Sequence, residues 1–306
     1  MNIFLFLGSR RGHAVLKKLM EAKATIGGIL CLVEDLHEEI YHPQITTIAK
    51  EHGIPLFYST EVKTSDYPAV LKKINPTIAF AIGWRYLIPK EAYTIPKKGT
   101  LILHDSLLPT YRGFAPMNWA IINGETKTGV TLFHIAEGVD CGPIVDQLET
   151  DISLQDTART VDEKIIGLYE KIIIKNLPAF TEGRVKAVIQ NEALATYTCK
   201  RTPEDGEINW HHSALQIYNL IRALTHPFPG AYTTLRGKKI WIWAASLPVQ
   251  QVRYIGCVPG RIIGKRGDKI EVLTGDGVLQ LSQLQFLGEE EKSAGEFSVS
   301  VKDTFS

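Results

Sequence analysis

The chain has 306 residues, enough for one substantial core and a second smaller one, so two domains is the default expectation. A hydrophobic share of 44%, a charged share of 22% and a formal net charge of +1 are ordinary for a globular protein. They give no overall electrostatic footprint for nucleic acid, leaving room only for a local basic patch. The first apolar run is too short for a signal peptide, and no stretch nears the roughly 20 apolar residues that span a bilayer. Cys31, Cys141, Cys199 and Cys257 are scattered without a CxxC pair. They read as reduced thiols in a soluble cytoplasmic protein rather than as a disulfide frame or metal site.

In chain order, an apolar run at 2–7 ends at Gly8, a helical segment at 13–22 follows, and a second apolar run covers 25–33. Strand, glycine turn, helix and strand in that order open a parallel βαβ layout. Helix over 45–52, strand over 55–58, helix over 67–74 and a buried strand over 77–82 continue it. A short strand at 99–103 runs straight into His104. Ligands of open parallel sheets sit at the carboxyl ends of strands, where both His104 and the Gly83-Trp84-Arg85 turn fall. The first turn has only Gly8 and Gly12 and lacks the GxGxxG spacing of a dinucleotide site. Its Arg10 and Arg11 read as solvated surface residues, with an anionic ligand as the alternative.

Val161, Ile165, Leu168, Ile172 and Ile173 recur at helical spacing, which predicts one long helix over 157–180 with Asp156 as N-cap. Residues 181–198 read as a hairpin-like stretch and 200–210 as a charged, turn-rich linker. A helix at 213–224 then precedes short runs at 231–235, 239–244, 260–263, 270–274 and 278–287, the pattern of a small β-barrel.

The chemistry concentrates in 103–142, LHDSLLPTYRGFAPMNWAIINGETKTGVTLFHIAEGVDCG. Histidine is the side chain best poised for proton transfer near neutral pH. An aspartate beside it can fix its tautomer, stabilise the imidazolium or accept a proton. His104 and Asp140 each follow a predicted strand, and adjacent parallel strands would bring those ends together. Trp119, at helical spacing from Ala115 and Ile122, reads as core. Cys141 beside Asp140 is a conceivable nucleophile, but a small residue before a glycine turn is the simpler reading.

His104 with Ser106-Leu107-Leu108-Pro109, then Arg112-Gly113, then Asp140-x-Gly142, resembles the active-site core of the 10-formyltetrahydrofolate-dependent formyltransferases. The family pattern is Asn-x-His-x-Ser-Leu-Leu-Pro, Arg-Gly, Asp-x-Gly, and Ile102 stands where it has asparagine. Ile208-Asn209-Trp210, Ile221-Arg222-Ala223, Pro229-Gly230-Ala231, Pro259-Gly260 and Thr274-Gly275-Asp276-Gly277 are similar to the C-terminal barrel of methionyl-tRNA and sugar formyltransferases. The resemblance thus covers nearly the whole chain. It implies an α/β, Rossmann-like formyltransferase domain over 1–203 and an OB-like β-barrel domain over 204–306. The implied formyl donor is 10-formyltetrahydrofolate, released as tetrahydrofolate.

His104 and Asp140 are the implied catalytic pair. Gly83, Trp84, Arg85, Leu87 and Ile88 match the folate-contacting loop, with Gly138 and Val139 on the other side of the pterin pocket. Ser106, Leu107, Arg112 and Gly113 lie in the loops that shape the acceptor side. Arg112 either binds an acceptor phosphate or holds its loop by a structural hydrogen bond. Formyl transfer needs an unprotonated amine, donors for a tetrahedral oxyanion and a path for the proton. The family asparagine is expected to donate to the formyl oxygen, an interaction typically worth ~3 kcal/mol of barrier. Ile102 can donate nothing. A backbone N–H, a protonated His104 or an ordered water takes over that role, or the reaction differs, or the enzyme is weak; the first reading is preferred.

Residues 115–132 are closer to the sugar-nucleotide enzymes than to those acting on methionyl-tRNA. Arg201-Thr202-Pro203-Glu204-Asp205-Gly206 is similar to the aminoarabinose-pathway formyltransferase. Arg201 is then a contact to a nucleotide acceptor, or part of a charged interdomain turn. The implied function is N-formylation of a nucleotide-linked amino-deoxysugar, a 4-amino sugar for a surface glycan such as pseudaminic acid. Methionyl-tRNA formyltransferase is the alternative, but Lys238, Lys239, Lys265 and Arg266 make only a modest basic cluster, so no nucleic-acid partner is expected. A non-catalytic folate or sugar-nucleotide binding protein is a third reading, suggested by Ile102. Sugar formyltransferases resembling this one are often dimers, which leaves a homodimer open.

Overall fold

The structure is a computed structural model that describes residues 1–35, 39–250 and 252–306. Its elements run β1 (Ile3–Leu7), α1 (Ser9–Glu21), β2 (Ile26–Cys31), α2 (His42–Glu51), β3 (Leu56–Tyr58), α3 (Tyr67–Ile74), β4 (Ile78–Ile82), α4 (Lys90–Tyr93) and β5 (Thr100–His104). There follow β6 (Arg112–Gly113), α5 (Pro116–Ile122), β7 (Lys127–His134), β8 (Ile144–Asp151), α6 (Ala158–Glu182) and β9 (Tyr197–Thr198). The last third holds α7 (Ala214–Leu224), β10 (Ala231–Leu235), β11 (Lys238–Ser246), β12 (Ile262–Arg266), β13 (Lys269–Leu273), β14 (Val278–Phe286) and β15 (Lys292–Ser293). Among the described residues no helix is long and apolar enough to cross a membrane.

The chain divides into two units. The first gathers Met1–Pro116, Lys127–Asp151 and Glu163–Thr198 around a seven-stranded sheet of order β3-β2-β1-β4-β5-β7-β8. Strands β1 to β5 pair in parallel, whereas β7 and β8 are antiparallel. Every residue of β1 and β4 is buried, which is why these central strands are uninterrupted apolar runs rather than alternating ones. Phe4, Phe6, Leu30, Tyr67, Leu71 and Ile88 form a core with α3 and α4, while Phe80 meets Phe180 of α6 edge to face. Strand order reverses between β1 and β4, the place where open α/β sheets leave a crevice for ligands. Gly8 and Gly83 close these two strands back to back. Gly83 has φ +61, and a Cβ there would lie 2.3 Å from the Gly8 carbonyl oxygen.

The α/β expectation holds in this unit, and four local differences from the sequence reading occur over residues 1–198. Helix α1 starts immediately after Gly8, so Arg10 and Arg11 belong to its first turn rather than to a loop. Strand β8 was not anticipated. Residues 181–198 form no hairpin: Val188 bridges Ile144, and β9 pairs in parallel with β6. Asp156 accepts from the Ser153 N–H and the Thr160 hydroxyl, closing the turn before α6, and Thr157 occupies the cap position.

The second unit gathers Met117–Thr126, Ile152–Asp162 and Cys199–Ser306. Its sheet has the order β10-β11-β14-β13-β12, with β15 on β14. The final residues join its two edges: Phe305 bridges Leu235 of β10, and Thr304 bridges Arg261 beside β12. This closes the expected β-barrel. Its interior holds Trp210, Ile221, Ile242, Leu281 and Phe305, with Trp210 and Phe305 stacked at 5.4 Å.

Candidate active site

His104 ends β5 and is 8% exposed. Its Nε2 lies 2.9 Å from the Tyr111 carbonyl oxygen, which can only accept, so Nε2 carries the hydrogen in the neutral ring. The other nitrogen, Nδ1, is therefore the basic one, and it faces Asp140 Oδ2 at 3.7 Å. The structure thus brings together the two residues singled out from the sequence. The geometry differs from the parallel-strand expectation. Because β7 runs antiparallel to β5, its last residue, His134, pairs with Leu101 rather than with His104. The loop after β7 returns along β5 to deliver Asp140, which stands in the left-handed region at φ +47. The Gly113 N–H donates to Asp140 Oδ2 at 2.8 Å.

The loop between β5 and β6 is tied down from several sides. Ser106 is buried and donates to the Thr110 carbonyl at 2.7 Å. Thr131 lies opposite His104 on β7; its hydroxyl donates to the Ser106 carbonyl at 2.6 Å and accepts from the Leu108 N–H at 3.1 Å. Gln147 of β8 donates to that hydroxyl and to the Leu108 carbonyl, both at 2.8 Å. Leu107 is half-buried, and its carbonyl accepts from the Thr110 hydroxyl at 2.7 Å. Asp105 is held by the Tyr169 hydroxyl and by Arg11 at 2.9 Å.

Arg112 corrects the acceptor-phosphate reading. It is 0% exposed and uses all five of its N–H donors inside the chain. They go to Gln190 Oε1 at 3.1 and 2.7 Å, to the Glu192 carboxylate at 2.8 and 2.7 Å, and to the Tyr197 hydroxyl at 3.0 Å. The hydrogen bonds to Glu192 push the guanidinium pKa up, and those from Arg112 pull the Glu192 carboxylate below its ordinary value. Arg112 is a fastener for β6, with no donor left for a phosphate. Gly113 has φ +105, and a Cβ there would sit 2.5 Å from the Thr198 carbonyl, so the ribbon with β9 requires glycine.

The residues expected around a pterin split between core and surface. Ile88 is buried in the core beside Phe6 and Tyr67, and Trp84 packs edge-on against both rings. Arg85 pairs with Asp35 at 3.2 Å. Leu87 is 79% exposed, and Tyr86 and Val139 are exposed too. The loops that carry them are joined by the Lys90–Glu137 ion pair at 3.8 Å, and Ile135 and Trp84 pack on one cluster. Gly138 has φ +116 and begins a turn in which Cys141 Sγ donates to the Glu137 carbonyl at 3.2 Å, a structural place for that thiol. Among the described residues, Ser9 Oγ and Trp84 Nε1 are buried with no hydrogen-bond partner, both next to Gly83. Tyr86, Leu87 and Val139 present exposed apolar surface on these two loops, the kind of wall against which a flat heterocycle can pack.

Ile102 is half-buried on the same face of β5 as His104 and packs on the core that includes Phe4 and Phe6. It supplies contact area and no donor. Arg201 belongs to the second unit, where its guanidinium lies 4.8 Å over the Trp119 ring and bonds the Asp205 carbonyl. Trp119 is accordingly half-buried under Arg201, with Nε1 donating to the Cys199 carbonyl at 3.0 Å, and is not the core residue its spacing suggested. Thr131, Gln147, Gln190 and Glu192 went unnoticed in the sequence. They are isolated polar residues whose partners lie 16 to 80 positions away, so no local pattern marks them.

Comparisons with known proteins agree with this architecture. Residues 31–177 match the Formyl transferase family and residues 200–301 match the Formyl transferase C-terminal domain, together most of the chain. This chain belongs to the formyl transferase family. It is 33% identical over 259 residues to the bifunctional polymyxin resistance protein ArnA of Wigglesworthia glossinidia brevipalpis, covering 84% of this chain and 40% of that protein. A structure of HypX from Aquifex aeolicus in complex with tetrahydrofolic acid superposes with a TM-score of 0.66 at 17% identity, covering 96% of this chain and 46% of that one. An N-formyltransferase from Helicobacter canadensis, solved with folinic acid and dTDP-3-aminofucose, gives a TM-score of 0.68 at 18% identity, covering 91% and 98%. This formyl transferase chain therefore spans less than half the length of ArnA and HypX.

Proposed function

We propose that this chain is a sugar N-formyltransferase that moves the formyl group of 10-formyltetrahydrofolate to the amine of a nucleotide-linked amino-deoxysugar. The observation that carries the reading is the His104–Asp140 pair at 3.7 Å, with His104 at the end of β5 and Asp140 in the loop after β7 of a formyl transferase fold. The likeness to the fold solved with dTDP-3-aminofucose supports an amino-sugar acceptor, and the similarity of residues 201–206 to the aminoarabinose-pathway formyltransferase favours a 4-amino sugar. Bound between the loops at 83–88 and 138–142, the folate would supply an activated formyl carbon. Gly83, Trp84, Arg85, Leu87, Ile88, Gly138 and Val139 would hold it, the exposed apolar members against its faces.

His104 accepts the acceptor's proton on Nδ1, because Nε2 is committed to the Tyr111 carbonyl. Asp140 faces the imidazolium that forms and stabilises it. With Ile102 silent, the protonated Nδ1–H of His104 is the donor we assign to the developing oxyanion. It then returns the proton to the leaving nitrogen as the formyl group moves, so that His104 ends neutral. Ser106, Leu107 and Gly113 shape the acceptor side. We assign the protein to the cytoplasm, with a small-molecule nucleotide-sugar acceptor as its partner.

The test is release of tetrahydrofolate from 10-formyltetrahydrofolate with a panel of UDP- and dTDP-linked amino sugars, and with methionyl-tRNA. Turnover should require an amino sugar and fall by about 10²- to 10⁴-fold in His104→Ala. Turnover with methionyl-tRNA alone would replace the sugar reading by the tRNA one. Folate binding without turnover on any acceptor would reduce the protein to a binding module.

A further inference from the structure

Asp140 points at His104 from a backbone conformation that side chains other than glycine rarely adopt, so something must hold it there. The Gly113 N–H holds its carboxylate. Its main chain is held by Gln190, whose Nε2 donates to the carbonyls of Asp140 at 2.8 Å and Gly142 at 2.7 Å. Gln190 is 5% exposed, and its Oε1 accepts twice from Arg112. A buried amide with both hydrogens and both lone pairs engaged has one orientation available. Arg112 in turn fixes the tripeptide whose flanking groups hold both members of the pair: the Tyr111 carbonyl takes His104 Nε2, and the Gly113 N–H takes Asp140 Oδ2. Main-chain bonds to Thr196 and Thr198 pin the same tripeptide from the other side, Arg112 N–H to the Thr196 carbonyl at 2.9 Å and Phe114 N–H to the Thr198 carbonyl at 3.2 Å.

We propose that Gln190 is a positioning residue for formyl transfer, anchored by Arg112, that sets the Asp140 carboxylate against His104 through the carbonyls of Asp140 and Gly142. The proposal rests on the reading of Asp140 as the catalytic carboxylate. The loop of Asp140 arrives from the far end of β7 and has no strand pairing of its own at residues 136–142, so side-chain bonds must supply its register. A displacement of about 1 Å in a reacting group can lower a rate by 10²-fold.

Two variants separate positioning from folding. Gln190→Glu keeps an oxygen toward Arg112 and replaces the donor to the two carbonyls with a second oxygen. Gln190→Met keeps length and volume and removes all four bonds. Formyl transfer to the accepting amino sugar is measured by steady-state and radiolabelled single-turnover kinetics, with circular dichroism melts alongside. Both variants should lower kcat by about 10- to 100-fold, with the acceptor KM within threefold of wild type. In an Asp140→Asn background, Gln190→Glu should add less than about a twofold further loss, because it acts through the residue already removed. A kcat within twofold of wild type in Gln190→Glu overturns the proposal, as do losses at 140 and 190 that multiply. Wild-type protein inactive on every amino sugar, or full activity in Asp140→Asn, overturns the functional reading instead and takes the proposal with it.

Discussion

Ile102 and His104 lie two residues apart on β5, so their side chains leave the strand on one face, and an amide at position 102 would be aimed beside the imidazole. One oxyanion donor contributes about 10²- to 10³-fold to kcat in comparable acyl transfers. Ile102 is also wedged among the apolar residues around Phe4 and Phe6, where an asparagine amide without partners costs about 1–3 kcal/mol. Ile102→Asn should therefore raise kcat by at least about tenfold while lowering the melting temperature. Single-turnover rates and melts on that variant check both signs. An unchanged rate would mean that the protonated His104 already does all that a side-chain donor can do. His104 and Asp140 were legible through the motif that carries the family resemblance, His104 before Ser-Leu-Leu-Pro and Asp140 two residues before Gly142, since neither residue alone marks a site. Arg112 was legible as important but not as a fastener, since its five hydrogen bonds go to Gln190, Glu192 and Tyr197 and no spacing rule links them.

At the level of elements, β7 and β8 decide how the loop after His104 sits. Thr131 accepts from the buried Leu108 N–H and donates to the Ser106 carbonyl, while Gln147 donates to the Thr131 hydroxyl and the Leu108 carbonyl. Thr131→Val conserves shape and leaves these groups unsatisfied, so it should lower stability by about 1–3 kcal/mol, read from denaturant melts. On the proposed reading the same loop shapes the acceptor side, so the acceptor KM should rise as well. The parallel half of the sheet was readable from its apolar runs, because central strands buried on both faces have nothing polar to interrupt them. Strand β8 was not: Ile144–Asp151 is an edge strand with Asp146, Glu149 and Asp151 along it, and half-buried edges tolerate such residues. The hairpin expected over 181–198 gave way to β9 pairing with β6, a partner 85 residues away.

For the whole molecule, the barrel of the second unit depends on its last residues, which pair with both β10 and β12. Asp303 secures that segment by accepting from Arg236 Nε at 2.8 Å and Nη2 at 2.6 Å, and from the Ser300 N–H at 2.7 Å. The hydrogen bonds from Arg236, then that from Ser300, hold its pKa down at about 2 against an ordinary 3.8. A carboxylate depressed on folding contributes stability above its ordinary pKa and loses it as pH falls through the folded value. The gap in melting temperature between wild type and Arg236→Ala should thus be constant from pH 7 to about 5 and close between about 4 and 2. A gap that persists at pH 2 would show that Arg236 acts through packing alone.

Local order determined the alternation of strand and helix and the change of texture to short strands in the last third, while the candidate pair His104 and Asp140 came from the family resemblance of 103–142. Burial and residue type act over two to four positions, and that information is written in the chain. Tertiary structure alone decided that β7 opposes β5, that its loop doubles back to place Asp140, and that Arg112 and Gln190 hold the pair together. Those outcomes depend on donors finding acceptors across 48 to 80 intervening positions. No periodicity encodes such matches; they exist only once the sheet has brought the loops side by side.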